Sequence, residues 1–147
     1  MKHYCLGFIF TPSGDHLWMV RKNRPEWQAG LLNGIGGKLE VELGEDGIQA
    51  QVRETFEETG WQSHYHDWRS FHTMKFEDAT VYCYTTKTDA VLTTMTDEEI
   101  VLVDVDEASR WNRRMVDNMF YLIPMAWAAC GYDFWSAATS AGFVDWR

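Results

Sequence analysis

Apolar and aromatic residues run almost unbroken from Tyr4 to Phe10 and stop at Pro12-Ser13-Gly14, a pattern that predicts a buried strand over residues 4–11. A second apolar run predicts a strand over residues 17–21, so the two form a hairpin. Residues 23–37, with Pro25, Gly30, Gly34, Gly36 and Gly37, read as loop. From about residue 45 to residue 59 the period changes. Ile48, Val52, Thr55, Phe56 and Thr59 recur at helical spacing, which predicts a helix with a mostly apolar stripe. Glu45 and Asp46 lie at its start, where negative charge suits the helix dipole. Gly60 follows its last turn, where a left-handed cap wants glycine. Further strands are expected over residues 69–75, 80–86 and 100–104. A second helix is expected over residues 112–129, with Pro124 inside it as a point of kinking or division. Strands mixed with two helices predict an α/β fold in which helices cover both faces of a sheet. No repeat or linker divides the chain, so one domain is expected over residues 1–147.

Composition narrows the class. Hydrophobic residues make up 46% of the 147-residue chain, enough for a packed core and too many for a disordered one. Aromatic side chains are abundant, and beyond the core one or two are expected to line a pocket. The formal net charge of −9 argues against a long nucleic-acid partner, which clustered Lys and Arg would have to grip. It leaves room for a small anionic ligand held through metal ions. Cys5, Cys83 and Cys130 are far apart and show no zinc-like spacing, so they read as reduced thiols of a cytoplasmic protein. The apolar run near the start is too short to span a membrane.

Chemistry concentrates in one stretch. Gly36-Gly37-Lys38-Leu39-Glu40 leads to Glu45, and then to Arg53-Glu54-Thr55-Phe56-Glu57-Glu58-Thr59-Gly60-Trp61. Glu54, Glu57 and Glu58 stand three and four apart, so a helix puts all three carboxylates on one side. Like charges at that spacing repel, by about 0.2–0.5 kcal/mol per pair. On their own they would read as a solvated acidic face. A hard divalent cation, Mg²⁺ or Mn²⁺, is one compensation. Arg53, four before Glu57, is another. Gly36 and Gly37 let backbone pass close to a ligand and can turn a carbonyl to a metal.

The stretch resembles the signature box of the Nudix hydrolases. Glu45 is followed by seven residues and then by Arg53, Glu54, Glu57, Glu58 and Gly60 in the register of that box. Two positions depart from it. Seven residues, where the box has five, separate Gly37 from Glu45, and position 55 is Thr where an aliphatic residue is usual. The resemblance implies a mixed-sheet α/β/α sandwich and a hydrolase that cuts a diphosphate linkage in a nucleotide with Mg²⁺ or Mn²⁺. It implies Glu54, Glu57 and Glu58 as metal ligands, with the carbonyl of Gly36 or Gly37. Arg53 would orient Glu54, and Glu45 would brace the loop–helix junction. Glu98 and Glu99 fall where some relatives place another carboxylate. The general base is left among Glu54, Glu57 and a glutamate from another loop.

Substrate contacts follow from two further likenesses, both to the MutT-like, oxidised-purine nucleoside triphosphate pyrophosphatase group of that family. The run Leu32-Asn33-Gly34-Ile35-Gly36-Gly37-Lys38 implies Asn33 as a contact to the base, with Lys38 beside it. The run Met115 to Pro124 implies Asp117 and Asn118, although Val116 stands where that group has Trp. Trp27 or Phe120 is the candidate stacking face. The expected substrate is a nucleoside or deoxynucleoside triphosphate, cut to monophosphate and pyrophosphate by a monomer or homodimer. The alternatives are ADP-ribose or a dinucleotide polyphosphate, whose Pro or Tyr marker is missing around Phe76-Glu77-Asp78, and a sensor that binds without cleaving. A carboxylate di-metal redox bundle would need Glu-x-x-His pairs, and the chain has none.

Overall fold

The computed structural model describes residues 1–110 and 113–132. Seven strands of these residues form one mixed sheet: β1 (Lys2–Phe10), β2 (His16–Arg21), β3 (Leu32–Asn33), β4 (Ile35–Lys38), β5 (Arg69–Lys75), β6 (Ala79–Lys87) and β7 (Glu99–Asp104). Among the described residues three α-helices accompany them: α1 (Gly47–Thr59), α2 (Val105–Ala108) and α3 (Met119–Ala129). β1 is the spine. It pairs in parallel with β6 along its whole length, from Lys2↔Ala79 to Phe10↔Lys87. Its other edge is shared, antiparallel, by β4 at Tyr4–Gly7 and by β2 at Ile9 and Phe10. β2 carries β7 and β3 farther out.

Alternation along β1 divides the core in two. Leu6, Phe8 and Phe10 face one way and pack with Met119, Leu122, Ile123 and Ala126 of α3. Cys5 and Ile9 face the other way and pack with Ala50 of α1, Ile35 and Leu39. The sheet is thus covered on both faces, as an α/β/α sandwich. Among the described residues no helix is long and apolar enough to cross a membrane.

Several expectations need correction. The stretch read as loop contains β3 and β4, because Gly36 and Gly37 pair with Leu6 and Cys5 of β1. A Cβ on Gly36 would fall on the Cys5 carbonyl, so a glycine here permits a ladder rather than a turn. The helix begins two residues later than expected. Asp46 caps it, accepting from the Gln49 N–H while Gln49 reaches back to Asp46, and Glu45 lies outside. Gly60 does close it in the left-handed region, with φ 77°.

Its buried side also differs. Ala50, Gln51, Thr55 and Thr59 are buried, whereas Phe56 is 49% exposed. Helix α1 lies close over Gly7, where a Cβ would strike the Gln51 amide, so the contact takes a polar amide and two threonines in place of bulky aliphatics. The second long helix starts only at Met119 and runs through Pro124 without division. Ahead of it the backbone is drawn onto β3: Leu32 N donates to Arg114 O at 2.7 Å and Val116 N to Leu32 O at 3.0 Å. Residue 112 of that expected helix, and residues 133–147 of the expected domain, lie outside the described residues. Cys5 and Cys83 are buried free thiols and Cys130 is half-buried.

Candidate active site

Arg53 organises the carboxylates. Its Nε donates to Glu45 Oε2 at 2.8 Å and one terminal nitrogen to Glu45 Oε1 at 2.9 Å. The same nitrogen reaches the Lys38 carbonyl at 3.1 Å. The other donates to Glu54 Oε1 at 2.9 Å and to Glu57 Oε2 at 3.2 Å. One guanidinium thus binds the end of β4, the residue before the α1 cap and two helix carboxylates. Only a planar fork with five N–H groups can do this. The Arg53 contact holds Glu45 below the usual carboxylate range. Glu45 in turn accepts from the Glu40 N–H at 2.9 Å, which ties down the loop ahead of the helix.

That loop contains the extra residues. Leu39 is buried in the core, Val41–Leu43 form a single 3-10 turn, and Gly44 ends it at φ 77°. Glu45 N returns to Glu40 O at 3.3 Å, so the lengthened segment closes on itself and leaves the register of α1 untouched.

Glu54 and Glu58 face inward. Burial raises the Glu54 carboxyl above its ordinary value, against the pull of Arg53. Burial, then the neighbouring Glu54 charge, pushes Glu58 up to about 8. Glu58 Oε2 is buried and has no hydrogen-bond partner among the described residues. Such an orphaned acceptor is costly unless something cationic or donating meets it. Beside Glu54 lies Gly37, where any Cβ would stand on the carboxylate, so strand and helix touch at this glycine. Gln51 holds the two together, its Nε2 donating to Ile35 O at 2.8 Å.

The loop before β7 completes the cluster. Met95 N donates to Glu58 O at 3.2 Å and Thr93 N to Thr59 O at 3.1 Å, meeting carbonyls of the last turn of α1. Glu98 is thereby brought into the electrostatic field of Glu58. Its Oε1 takes Lys22 Nζ at 3.0 Å and its Oε2 takes the Asn23 N–H at 2.6 Å. Burial pushes the Glu98 carboxyl up, but the Asn23 N–H and Lys22 outweigh it and its value falls below the ordinary range. Glu99 goes elsewhere, exposed in β7 at 3.4 Å from Arg21. Among the described residues no group of three side chains stands converged as a metal cage, since Arg53 occupies the space between Glu54 and Glu57. The donors are nevertheless all hard oxygens around one uncommitted buried carboxylate oxygen, which suits a hard divalent cation.

A pocket of about 530 Å³ opens on the β1 side of the glycine strand, lined by Gly36, Gly37, Asn33 and Asn118 among others. Trp27, 67% exposed, stands at it, as do Met74 and Phe76. Asn33 donates to Gln28 Oε1 and accepts from the Gly34 N–H. Asp117, Lys38 and Phe120 are exposed and do not line it. Sequence reasoning missed Lys22, Gln28, Gln51, Met74 and Phe76. Only Gln51 left a signal, since the series 51, 55, 59 marks one helix line with Thr55 and Thr59. The others reach the site through contacts distant in sequence.

A family model described as the NUDIX domain matches residues 1–124. No curated protein sequence matches the chain. Solved structures do. One, described for MutT of Aliivibrio salmonicida and Vibrio cholerae, is 21% identical, with 84% of this chain and 97% of that one covered and a TM-score of 0.68. The NUDIX domain of Shewanella oneidensis NrtR, complexed with ADP ribose, is 15% identical, with 84% of each chain covered and a TM-score of 0.70. A bifunctional NMN adenylyltransferase/ADP ribose pyrophosphatase of Francisella tularensis, complexed with AMP and a manganese ion, is 18% identical. There 88% of this chain and 42% of that one are covered, with a TM-score of 0.67.

Proposed function

Because this chain belongs to the NUDIX family, we propose that it is a divalent-metal-dependent hydrolase that cuts a (deoxy)nucleoside triphosphate to the monophosphate and pyrophosphate. The observation that carries this reading is the Arg53 cluster. One guanidinium gathers Glu45, Glu54 and Glu57, and Glu58 beside them keeps a buried oxygen without a partner. The cluster adjoins a pocket whose volume suits a small organic ligand.

Glu54, Glu57 and Glu58, with the carbonyl of Gly36 or Gly37, would hold Mg²⁺ or Mn²⁺, and Glu98 is the additional carboxylate nearby. Such an ion would supply charge neutralisation for the diphosphate oxygens and a water of lowered pKa as the nucleophile. The chain's own part is positional. Arg53 aims Glu54 and Glu57, Glu45 anchors Arg53, and Gln51 fixes the glycine strand against the helix. Lys38, exposed at the end of β4, offers a cation to the outer phosphates. Asn33, Asn118 and Trp27 receive the base. Asp117 and Glu99 have no part in this arrangement. The whole of residues 1–147 is taken as one catalytic domain.

The test is release of pyrophosphate or phosphate, with Mg²⁺ present, from ordinary and oxidised nucleoside triphosphates, ADP-ribose and dinucleotide polyphosphates. Pyrophosphate release from triphosphates is expected. Turnover confined to ADP-ribose or dinucleotides would replace the substrate class, and tight binding without turnover on any of them would make the protein a sensor.

A further inference from the structure

Gln51 is wholly buried, at the point where α1 lies on β1 and β4. The direction of its amide is fixed. Nε2 lies 2.8 Å from the Ile35 carbonyl, which only accepts, so the nitrogen faces β4. The other Nε2 hydrogen goes to Thr55 Oγ1 at 3.2 Å, one turn along α1. Both donors are spent, and Oε1 is left buried with no partner among the described residues. Turning the amide over would set oxygen against oxygen at Ile35.

A stranded buried acceptor costs stability. The surroundings are nevertheless matched to it. A Cβ on Gly7 would fall on the Gln51 amide, so residue 7 has to lack a side chain. Methionine has a similar reach, is equally unbranched and has no oxygen to strand. Packing alone therefore gives no reason for an amide here. What the amide adds is one directed bond from helix to strand.

That bond joins the two halves of the site. β4 spans Ile35–Lys38, with Gly36 and Gly37 between its ends. Gln51 Nε2 holds the carbonyl at one end, and Arg53 holds the Lys38 carbonyl at the other, at 3.1 Å. The glycine pair is thus slung between two side chains of α1. Glu54 and Glu58 follow Gln51 within two turns and on the same side of the helix. Gly37 and Glu54 touch so closely that a Cβ on the one would stand on the carboxylate of the other. A small shift of α1 from β4 would move both carboxylates against the glycine carbonyls at once.

We propose that Gln51 is a positioning residue whose bond to Ile35, paired with that of Arg53 to Lys38, sets Gly36 and Gly37 at a fixed distance from Glu54 and Glu58, and that the chain retains a stranded oxygen in its core for the sake of that bond. Metal affinity and folded stability are then opposed at one residue. This rests on the metal site set out under the proposed function.

The test follows Mn²⁺ binding to the nucleotide-free protein by electron paramagnetic resonance, and the melting temperature without metal, in the wild type, Gln51→Met and Thr55→Val. Gln51→Met keeps the volume and removes the bond and the stranded oxygen together. It is expected to melt no lower than the wild type and to bind Mn²⁺ about tenfold more weakly, the scale of a lost contact behind a metal ligand. Thr55→Val keeps the Ile35 bond and is expected to bind Mn²⁺ as the wild type does. A melting temperature several degrees lower in Gln51→Met would make the amide a structural residue. Unchanged Mn²⁺ affinity in that variant would remove its positioning role, and an equal loss in Thr55→Val would assign the effect to the general packing of α1. Each of these overturns the inference. Mn²⁺ binding that weakens as expected, in a protein that hydrolyses no nucleotide, would remove the proposed activity and leave Gln51 its role. Hydrolysis with a Mn²⁺ affinity indifferent to residue 51 would do the reverse, and a wild type that binds no Mn²⁺ would remove both.

Discussion

Arg53 and Glu45 meet through two parallel hydrogen bonds, 2.8 and 2.9 Å long, across the junction between the loop and α1. Both side chains are mostly shielded, with 24% and 12% of their surfaces exposed. Glu45→Ala leaves a half-buried guanidinium with fewer partners and should cost about 2 kcal/mol of stability, measured by urea unfolding. Arg53→Lys keeps the charge but cannot engage three carboxylates and a carbonyl at once, so turnover should fall sharply while the fold is retained. Normal turnover in Arg53→Lys would show that the fork is not needed.

The same pair predicts a pH dependence. Arg53 lowers the folded-state value of the Glu45 carboxyl, so the contact contributes fully above the unfolded-chain value of about 4.3. The contribution is lost as the pH falls through the lower folded-state value. Stability curves of the wild type and Glu45→Gln should therefore run apart near neutrality and converge in acid. Parallel curves down to strong acid would contradict this.

Gly36→Ala and Gly37→Ala should fail in different ways. A methyl at Gly36 meets the Cys5 backbone carbonyl, which cannot move without opening the β1–β4 ladder. A methyl at Gly37 meets the end of the Glu54 side chain, which can swing aside. The first substitution should cost about 3 kcal/mol or more in thermal or urea unfolding. The second should fold with a smaller penalty and lose activity, because the displaced carboxylate is one of the proposed metal ligands. Equal stability losses for the two would show that Glu54 is as immobile as backbone.

Glu57→Gln and Glu58→Gln keep side-chain volume and remove charge. Both should lower kcat by about 100-fold or more while the circular dichroism spectrum is unchanged. Glu58→Gln should also weaken Mn²⁺ binding as followed by electron paramagnetic resonance. Near-normal turnover in both variants would shift the metal assignment to other carboxylates.

Chelation should abolish turnover, and added Mg²⁺ or Mn²⁺ should restore it. Because the ion would bind the folded state alone, the melting temperature should rise with metal concentration. A metal-independent melting temperature together with metal-independent turnover would leave the orphaned Glu58 oxygen unexplained.

What could be read in the sequence were features carried by local spacing. Arg53, Glu54, Glu57 and Glu58 fall within two turns of one helix, so their number in the chain is enough to place them side by side. Gly60 was legible for the same reason, since a helix end needs its left-handed residue at one position. The misread parts depend on contacts between distant segments. Gly36 and Gly37 look like loop residues until β1 lies beside them. Phe56 looks like core until α1 settles on Gly7, which admits Gln51 and the threonines and leaves the phenyl ring half outside. Glu98 and Glu99 are equivalent as neighbours in the chain. The loop before β7 turns Glu98 inward beside Glu58, whereas Glu99, the first residue of the strand, lies exposed against Arg21. Asp117 and Asn118 are separated in the same way, by the turn into α3.

The turn at Val41–Leu43 has its two ends fastened to each other, through Glu40 N to Glu45 Oε1 and Glu45 N to Glu40 O. Between those ends Val41 and Leu43 project into solvent. The stretch is thus a splice point. Foreign peptide inserted after Glu42, an epitope or a short labelling tag, would be carried outside the clasp, and kcat should stay close to that of the parent chain. The enzyme can be given a handle within a few residues of its carboxylates without those carboxylates registering it.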